Sequence, residues 1–324
     1  MTEDYVIGID GGGTCSRGIA VAVNGDVLAE ANGGALNFHT TSQSLFVANL
    51  SQLCLALQAG LEDRHCIRTL VGTAALFDRP TEAEYEQAVA GLDRESLGEL
   101  VLVGDAVTAA TGATGGKSGV LVISGTGSIG VRVSETGEPA FSGGLGPLLG
   151  GDPGSAFWMV SQALIAAQRR SCEVGELCAM GRFLCREFDV VDIPGMISKI
   201  YRLEEGSQRL AELAGRLATC DDPLVLEMWR CIEMDAGKAL SDLVCPLLGK
   251  ANEETVDLFV SGSVLMRNLN VRKALKEMLD SRLEHDVALR TPQHDAVAGA
   301  AIMALRQSQV LNVEPVFERF VGRD

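Results

Sequence analysis

Two glycine-rich segments of the sequence, Asp10–Thr14 and Ser124–Ser128, each interrupt a run of apolar residues. Glycine has no Cβ, so its backbone can approach an anion closely and turn several N–H groups toward it. Each segment ends in a hydroxyl group, which adds a further hydrogen-bond donor. We therefore predict two phosphate-binding loops rather than two plain hairpin turns. The residues predicted to contact phosphate are Gly11, Gly12, Gly13, Thr14, Gly125, Thr126, Gly127 and Ser128.

The two loops occupy the same position in a repeated strand–turn–strand pattern. Tyr5–Ile9 and Gly119–Ile123 are apolar runs with the length of a short strand, and a second apolar run follows each loop. In this repeat Asp10 aligns with Ser124, and the glycines and hydroxyl residues align after them. The repeat predicts two copies of one domain type that face each other across a cleft, where both loops would bind the phosphates of ATP.

Two aspartates follow predicted strands and could carry chemistry. Asp10 lies beside the first loop, where its carboxylate could hold Mg²⁺ directly or through water, because hard cations prefer oxygen ligands. Asp105 follows the apolar run Leu100–Val103, at the strand end where ligands collect in open α/β sheets. Its carboxylate could accept a proton from an attacking hydroxyl group, or it could cap a helix that begins at Ala106. Spacing alone favours neither role.

A second glycine-dense stretch, Gly143–Ser155, leads into a predicted helix. It could be a ligand-binding loop at a helix N-terminus, or a loop whose backbone needs unusual dihedral angles. Asn37 lies in a loop before another predicted helix, Ser42–Leu61, and by itself indicates little. The strand Val256–Val260 ends in a third small-residue turn, Ser261-Gly-Ser263.

The composition and net charge of the chain argue against several classes of binding partner. The chain has 324 residues, of which 47% are hydrophobic, and a net charge of −16. This charge argues against nucleic acids and anionic membranes, which bind mainly through Lys and Arg. No run approaches the roughly 18 apolar residues of a membrane span, and the first residues do not resemble a signal peptide. Nine cysteines without C-x-x-C spacing indicate free thiols in a cytoplasmic protein. The four histidines show no zinc spacing.

The elements predict an α/β fold with two domains. The first is expected to cover residues 1–116 and the second residues 117–305, with the boundary near the loop-like segment Gly115–Ser118. A C-terminal helix at about 306–324 is expected to pack back on the first domain. Helices dominate the second half, and the longest is predicted from Pro223 to Leu248.

The motifs in combination resemble the N-acetylglucosamine kinase family. This family is a branch of the actin/hexokinase/Hsp70 superfamily that also includes the BadF/BadG-type ATPases. The resemblance runs from about Val6 to Leu305 and implies duplicated RNase H-like domains with an ATP cleft between them. The motifs that carry it are Ile9-Asp-Gly-Gly-Gly-Thr14, Asn37, Gly104-Asp105, Ile123-Ser-Gly-Thr-Gly-Ser128, Gly143-Gly-Leu-Gly-Pro-Leu-Leu-Gly150, Asp152-x-Gly-Ser155 and Ser261-Gly-Ser-Val264.

The resemblance implies a role for each matching residue. Asp10 would hold Mg–ATP through the water shell of the metal, and Asp105 would be the base for the sugar hydroxyl. The residues implied to bind ATP are Gly11 to Thr14, Gly125 to Ser128, Ser261, Gly262 and Ser263. The residues implied to surround the sugar are Asn37, Ser124, Thr126, Gly143, Gly144 and Asp152.

The chain departs from this family at three places. Cys15 stands where the family has a basic residue, Leu145 stands where it has tryptophan, and Gly150–Ser155 carries an extra glycine and a proline for glutamate. The expected function is ATP-dependent phosphorylation of a hexose or an amino sugar such as N-acetylglucosamine or glucosamine, by a homodimer. Two alternatives are a BadF-type activator ATPase, whose iron–sulfur cluster needs paired cysteines, and a non-catalytic sugar or nucleotide sensor.

Overall fold

The computed structural model describes residues 4–37, 39–134, 138–202, 206–249 and 255–308. The strands are β1 (Tyr5–Gly11), β2 (Cys15–Ala22), β3 (Val27–Gly34), β4 (Cys66–Thr73), β5 (Glu99–Gly104), β6 (Gly119–Ser124), β7 (Ser128–Val133), β8 (Ala140–Gly143), β9 (Thr255–Ser261) and β10 (Asp286–Arg290). The helices are α1 (Gln43–Gln58), α2 (Glu82–Val89), α3 (Asp105–Ala113), α4 (Gly146–Leu149), α5 (Ala156–Val174), α6 (Ala179–Glu187), α7 (Ile193–Ile200), α8 (Gly206–Ala218), α9 (Pro223–Leu248), α10 (Ser263–Arg267), α11 (Leu269–Arg282) and α12 (Ala296–Gln307).

The first sheet has the strand order β3-β2-β1-β4-β5. Strands β1, β2 and β3 form an antiparallel meander, whereas β4 and β5 run parallel to β1. The meander follows from the sequence, because the Asn24-Gly25 turn joins two apolar runs and Gly25 takes the positive φ of 94° that such a turn needs. The parallel strands need crossover connections, which the intervening helices supply.

The second sheet repeats this order. Its strands lie as β10-β9-β6-β7-β8, so that β6, β7, β8, β9 and β10 take the places of β1, β2, β3, β4 and β5. The structure therefore confirms the predicted duplication. It also confirms that each glycine-rich loop lies between the first two strands of its copy, after Gly11 and after Ser124.

Helix α12 belongs to the first sheet although it lies at the far end of the described chain. Its apolar face packs on β1, β2, β4 and β5. The approach is so close that a Cβ at Gly8 would lie 2.4 Å from the backbone nitrogen of Ala301. Helices α1 and α2 pack on the other face of the sheet. A capping box of Thr81 and Glu84 fixes the N-terminus of α2.

The compact units differ from the predicted domains at α12, at Val131–Ala140 and at the boundary, which falls after Leu121 rather than after residue 116. One unit holds the described residues of Met1–Leu121, Val131–Ala140 and Thr291–Asp324, and the other holds those of Val122–Gly130 and Phe141–Arg290. The prediction of 1–116 and 117–305 assigned α12 to the second domain, since nothing local shows which sheet a helix covers. The predicted helix at 306–324 lies largely outside the described residues, which end at 308.

All nine cysteines are free thiols, as their irregular spacing indicated. Among the described residues, no helix is long and apolar enough to cross a membrane.

Candidate functional site

The first glycine-rich loop is a tight turn between β1 and β2. The N–H of Gly12 donates to the carbonyl of Cys15 at 3.0 Å, which closes the turn. Gly11 is required because a Cβ there would lie 2.7 Å from the carbonyl oxygen of Gly72. Gly13 and Thr14 are exposed at the tip. The exposed parts of the loop, which a phosphate group could reach, are therefore the backbone of Gly13 and the backbone and side chain of Thr14.

Asp10 and Asp105 interact electrostatically in the first unit. Asp10 lies near the end of β1 and Asp105 directly follows β5, with β4 between the two strands. Burial raises the pKa of Asp105 to about 6, the backbone N–H of Ala106 opposes the shift, and the carboxylate of Asp10 adds to it. Asp105 is the first residue of α3, and the N-cap position is taken by Gly104. The alternative role of Asp105 as an N-cap is therefore wrong. A half-buried carboxyl group with this pKa is suited to accept a proton near neutral pH.

Arg17 and Asp295 are the charged neighbours of Asp10. Neither was predicted from the sequence. Arg17 is the cross-strand partner of Asp10 in the antiparallel register, so the two side chains share one face of the sheet. Its Nη1 donates to Oδ2 of Asp295 at 3.0 Å. Burial raises the pKa of Asp10, the carboxylate of Asp295 raises it further, and Arg17 lowers it. The register of the β1–β2 hairpin was the signal that could have found Arg17.

Asn37 is held beside the tip of the first loop. Its Oδ1 accepts the backbone N–H groups of His39 at 3.0 Å and Thr40 at 2.9 Å. Its Nδ2 lies on the side of Gly13, 3.9 Å from the place where a Cβ of that glycine would be. Asn37 also forms a bridge to Ala74, next to the end of β4. The hydrogen bonds to Oδ1 thus fix the side chain of Asn37, and its Nδ2 group faces the first glycine-rich loop.

The second glycine-rich loop uses its serine hydroxyls internally. Oγ of Ser124 donates to the carbonyl of Gly154, and Oγ of Ser128 donates to that of Pro153, each at 2.9 Å. Both serines are buried, whereas Thr126 is exposed. These bonds attach the loop to the segment that leads into α5. The exposed groups that the loop offers to a ligand are therefore its backbone and the side chain of Thr126.

Asp152 ties the glycine-dense stretch to the second loop. It is 6% exposed and takes a positive φ of 46°, which is uncommon for a residue with a Cβ. Its Oδ1 accepts the N–H of Gly146 at 3.2 Å, and its Oδ2 lies 2.8 Å from the place where a Cβ of Gly127 would be. Burial raises its pKa, which N–H groups of Gly146 and Ser128 oppose. Gly143 and Gly144 have φ values of 75° and 73°, so this stretch needs unusual dihedral angles.

The turn after β9 packs directly on the second loop. Gly262 has a φ of 88°, and a Cβ there would lie 2.3 Å from the carbonyl oxygen of Ser124. The backbone nitrogen of Ser263 comes within 3.7 Å of the place where a Cβ of Gly125 would be. Ser261 ends the strand, and Ser263 begins α10. The structure therefore brings Ser261–Ser263 together with the second loop.

The predicted site residues thus form two groups, one in each unit. The first group contains Asp10, Gly11, Gly12, Gly13, Thr14, Asn37 and Asp105. The second contains Ser124, Gly125, Thr126, Gly127, Ser128, Gly143, Gly144, Asp152, Ser261, Gly262 and Ser263. Within each group the residues lie on strand ends and on the loops that follow them. The expectation that both groups bind one ATP molecule stays a prediction.

Comparison with known proteins gives relatives across the whole chain. The family model described as BadF/BadG/BcrA/BcrD ATPase family matches residues 7–304. The chain is 28% identical over 325 residues to the N-acetyl-D-glucosamine kinase of Dictyostelium discoideum, which covers 95% of this chain and 100% of that protein. It is 29% identical over 219 residues to the N-acetylmuramic acid/N-acetylglucosamine kinase of Clostridium acetobutylicum, covering 64% of this chain and 68% of the relative.

Solved structures show the same fold. A candidate N-acetylglucosamine kinase from Chromobacterium violaceum has a TM-score of 0.64 at 23% identity, over 94% of this chain and 99% of that one. A ROK family glucokinase from Streptomyces griseus, solved with glucose and AMPPNP, has a TM-score of 0.52 at 19% identity, over the same shares of the two chains. At such identities the likeness establishes the actin/hexokinase-type fold of two domains.

Proposed function

The chain belongs to the BadF/BadG/BcrA/BcrD ATPase family, and we propose that it phosphorylates an amino sugar such as N-acetylglucosamine or glucosamine, with ATP as the phosphoryl donor. The observation that carries the proposal is Asp105, a half-buried carboxyl group whose pKa is raised to about 6 beside Asp10. Two relatives that match much of this chain are named as kinases of such sugars.

Transfer of the γ-phosphoryl group requires positioning, charge neutralisation and an acceptor for the proton of the attacking hydroxyl. Asp105 takes this proton as the sugar oxygen bonds to the γ-phosphorus and the bond to the β-phosphate oxygen breaks. The backbone N–H groups of the two glycine-rich loops bind the phosphates of ATP. The amide of Asn37, together with Gly143, Gly144 and Asp152, orients the sugar.

The charges around Asp10 suit a magnesium ion that is held through water rather than directly. The carboxylate of Asp10 interacts electrostatically with those of Asp295 and Asp105, and hard divalent cations prefer oxygen ligands. Among the described residues, no group of three or more acidic, histidine or cysteine side chains is placed to hold a metal ion. Asp10 would hold Mg²⁺ through water, and the bound ion would neutralise charge on the transferred phosphoryl group.

A coupled assay of ADP release tests the proposal. The purified chain is incubated with Mg–ATP and, in turn, N-acetylglucosamine, glucosamine, N-acetylmannosamine, glucose and N-acetylmuramic acid. We expect ADP release to depend on an amino sugar and a phosphorylated sugar to appear in equal amount. ATP binding without stimulation by any sugar would favour the sensor, and sugar-independent hydrolysis would favour the activator ATPase.

The raised pKa of Asp105 predicts how activity depends on pH. The carboxyl group must be deprotonated to act as a base, so kcat/KM should fall about tenfold per pH unit below an apparent pKa near 6. The stability of the first unit should change in the opposite direction. Because the folded-state pKa lies above the unfolded value, the native state binds the extra proton and loses stability as pH rises from about 4 to 6. A pH–rate profile and urea unfolding at several pH values measure both effects.

Replacing Arg17 by alanine should weaken ATP binding. The change removes the only cation paired with Asp295 in the described residues and the charge that lowers the pKa of Asp10. Both side chains of the Arg17–Asp295 pair are more than half exposed, and such a pair contributes at most about 1 kcal/mol, so KM for ATP should rise by up to about fivefold, while Arg17→Lys should restore part of the loss. Arg169→Ala, at an exposed position of α5, is the control. An unchanged KM for ATP would remove Arg17 from the site.

A further inference from the structure

A cavity of about 340 Å³ lies in the second unit, between the glycine-dense stretch and helix α9. Gly143, Gly144 and Asp152, three of the residues proposed to orient the sugar, form one wall of it. Ala239 and Leu243 of α9 form the opposite wall. The cavity is therefore continuous with the proposed sugar site. None of the roles proposed so far, phosphate binding and proton transfer included, gives this space an occupant.

The walls of this cavity are mainly apolar. Leu145 and Pro153 contribute side chains from the loop, and Ala239 and Leu243 contribute them from the helix. Leu243 is held in place against Gly143, where a Cβ would lie 2.6 Å from its Cδ1. An apolar cavity next to a sugar site is suited to bind the N-acyl group, which is the least polar part of an amino sugar. Transfer of an apolar group from water to apolar surroundings is favourable.

The charges at the cavity are negative. Asp152 is buried, and its carboxylate is held by backbone N–H groups, without a cationic partner among the described contacts. Asp242 is the second carboxylate, and Arg282 pairs with it. A carboxylate on the substrate would therefore face the uncompensated charge of Asp152, whereas an uncharged acyl chain would not.

We propose that this cavity binds the N-acyl group of the sugar and that it accepts uncharged acyl chains longer than acetyl but rejects anionic ones. The inference rests on the proposed function of the site as a sugar kinase. The size of the cavity supports it, since 340 Å³ lies at the lower end of small-molecule pockets, which span about 300–1,000 Å³. An acetyl group, with three non-hydrogen atoms, leaves much of that volume unfilled.

Leu145 sets the width of the cavity on the loop side. Its side chain is part of the cavity lining, and the larger indole of a tryptophan at this position would take up space that the acyl chain needs. Its side chain packs over Gly150, where a Cβ would lie 3.0 Å from Cβ of Leu145. Leu145 is therefore a specificity-determining residue, and Ala239 sets the width from the helix side.

The test compares glucosamine derivatives with N-acetyl, N-propionyl, N-butyryl and N-succinyl groups, by kcat/KM for phosphorylation and by binding to the protein without ATP. Butyryl and succinyl chains have the same number of carbons and differ in the terminal carboxylate. We expect the N-butyryl sugar to react within about tenfold of the N-acetyl sugar, and the N-succinyl sugar to be at least about tenfold poorer than the N-butyryl sugar.

Two variants fill the cavity from opposite walls, Leu145→Trp and Ala239→Leu. Each should lower kcat/KM for the N-butyryl sugar by about tenfold or more relative to the N-acetyl sugar, since one methylene group in such a pocket discriminates by about 10–200-fold. Cys231→Leu adds bulk at an exposed position of the same helix and should leave the acyl-chain profile unchanged. Thermal unfolding confirms that each variant is folded.

The outcomes separate this inference from the proposed function. One outcome is that the protein phosphorylates amino sugars but neither variant changes its relative kcat/KM for the four N-acyl sugars. This outcome would overturn the inference and leave the proposed kinase function intact. Equal rates for N-butyryl and N-succinyl sugars would overturn the argument from charge. Absence of both phosphorylation and binding for every derivative would overturn the proposed function, and the acyl pocket with it.

Discussion

The Asp105→Asn variant should bind ATP normally and lose nearly all phosphoryl transfer. An amide cannot take the proton from the attacking hydroxyl, and removal of a positioned base costs about 10²–10⁴-fold in rate. Oδ1 and the backbone at the start of α3 are kept, so the local structure should not change. Single-turnover kinetics with the preferred sugar measure the rate, and equilibrium titration with a fluorescent ATP analogue measures nucleotide binding.

The same variant should be at least as stable as the wild type at pH 7.5. Burial raises the pKa of Asp105 to about 6, so the charged form is disfavoured in the folded state, and asparagine removes that cost. A residue that lowers stability but is needed for turnover has the profile of a functional group rather than a structural one. Thermal unfolding at pH 4 and pH 7.5 should show a gain in Tm only at the higher pH.

Asp93→Asn is the matched control for Asp105. Asp93 is exposed in the loop before β5 and contributes only its backbone carbonyl to a hydrogen bond, from Ser96. Its replacement should change neither the rate nor the dependence of Tm on pH. Turnover of Asp105→Asn within about threefold of the wild type would exclude Asp105 as the base, because general-base catalysis contributes far more.

The Gly262→Ala variant should destabilise the second unit and abolish tight ATP binding. A Cβ at Gly262 would lie 2.3 Å from the carbonyl oxygen of Ser124, and φ is 88°. A left-handed backbone and overpacking each cost about 1–3 kcal/mol, so we expect a loss of roughly 2–6 kcal/mol in the free energy of unfolding. Relief of the clash must move either this turn or the second glycine-rich loop.

Gly215→Ala is the control for Gly262. Gly215 lies within α8, where an added Cβ would meet no atom within 4 Å. Alanine should stabilise this helix by up to about 1 kcal/mol and leave ATP binding unchanged. Urea unfolding and nucleotide titration compare the two variants. A Gly262→Ala protein with wild-type stability and affinity would show that the turn after β9 does not position the second loop.

Local patterns in the sequence were sufficient for the fold and for the position of the loops. The apolar runs Tyr5–Ile9 and Gly119–Ile123 each end at a glycine-rich turn, and a strand with a tight turn is specified by neighbours along the chain. The duplication followed because both copies preserve this pattern. Helix α9 was predicted from Pro223 to Leu248, and the structure has these bounds, because a proline start and a long apolar period are local signals.

The short strands, and the sheet on which α12 packs, could not be predicted from local sequence patterns. Strands β8 and β10 have few residues and weak alternation, and the sequence did not indicate them. Helix α12 was predicted as a helix but assigned to the second domain. Its apolar residues do not by themselves indicate which sheet it covers, whereas in the structure they pack on the first sheet, with Ala301 close to Gly8.

The sequence by itself determined the residue types of the site and the strand ends on which they lie. The tertiary structure decided which of these groups are exposed and which are bonded within the protein. Arg17 and Asp295 are 278 positions apart and meet only because α12 covers the first sheet. The hydroxyls of Ser124 and Ser128 donate to the backbone carbonyls of Gly154 and Pro153, and their predicted contacts with ligands stay a prediction. Hydrogen-bond partners and burial depend on segments distant in the chain, so local spacing cannot specify them, whereas glycine's steric freedom can be recognised from the residue itself.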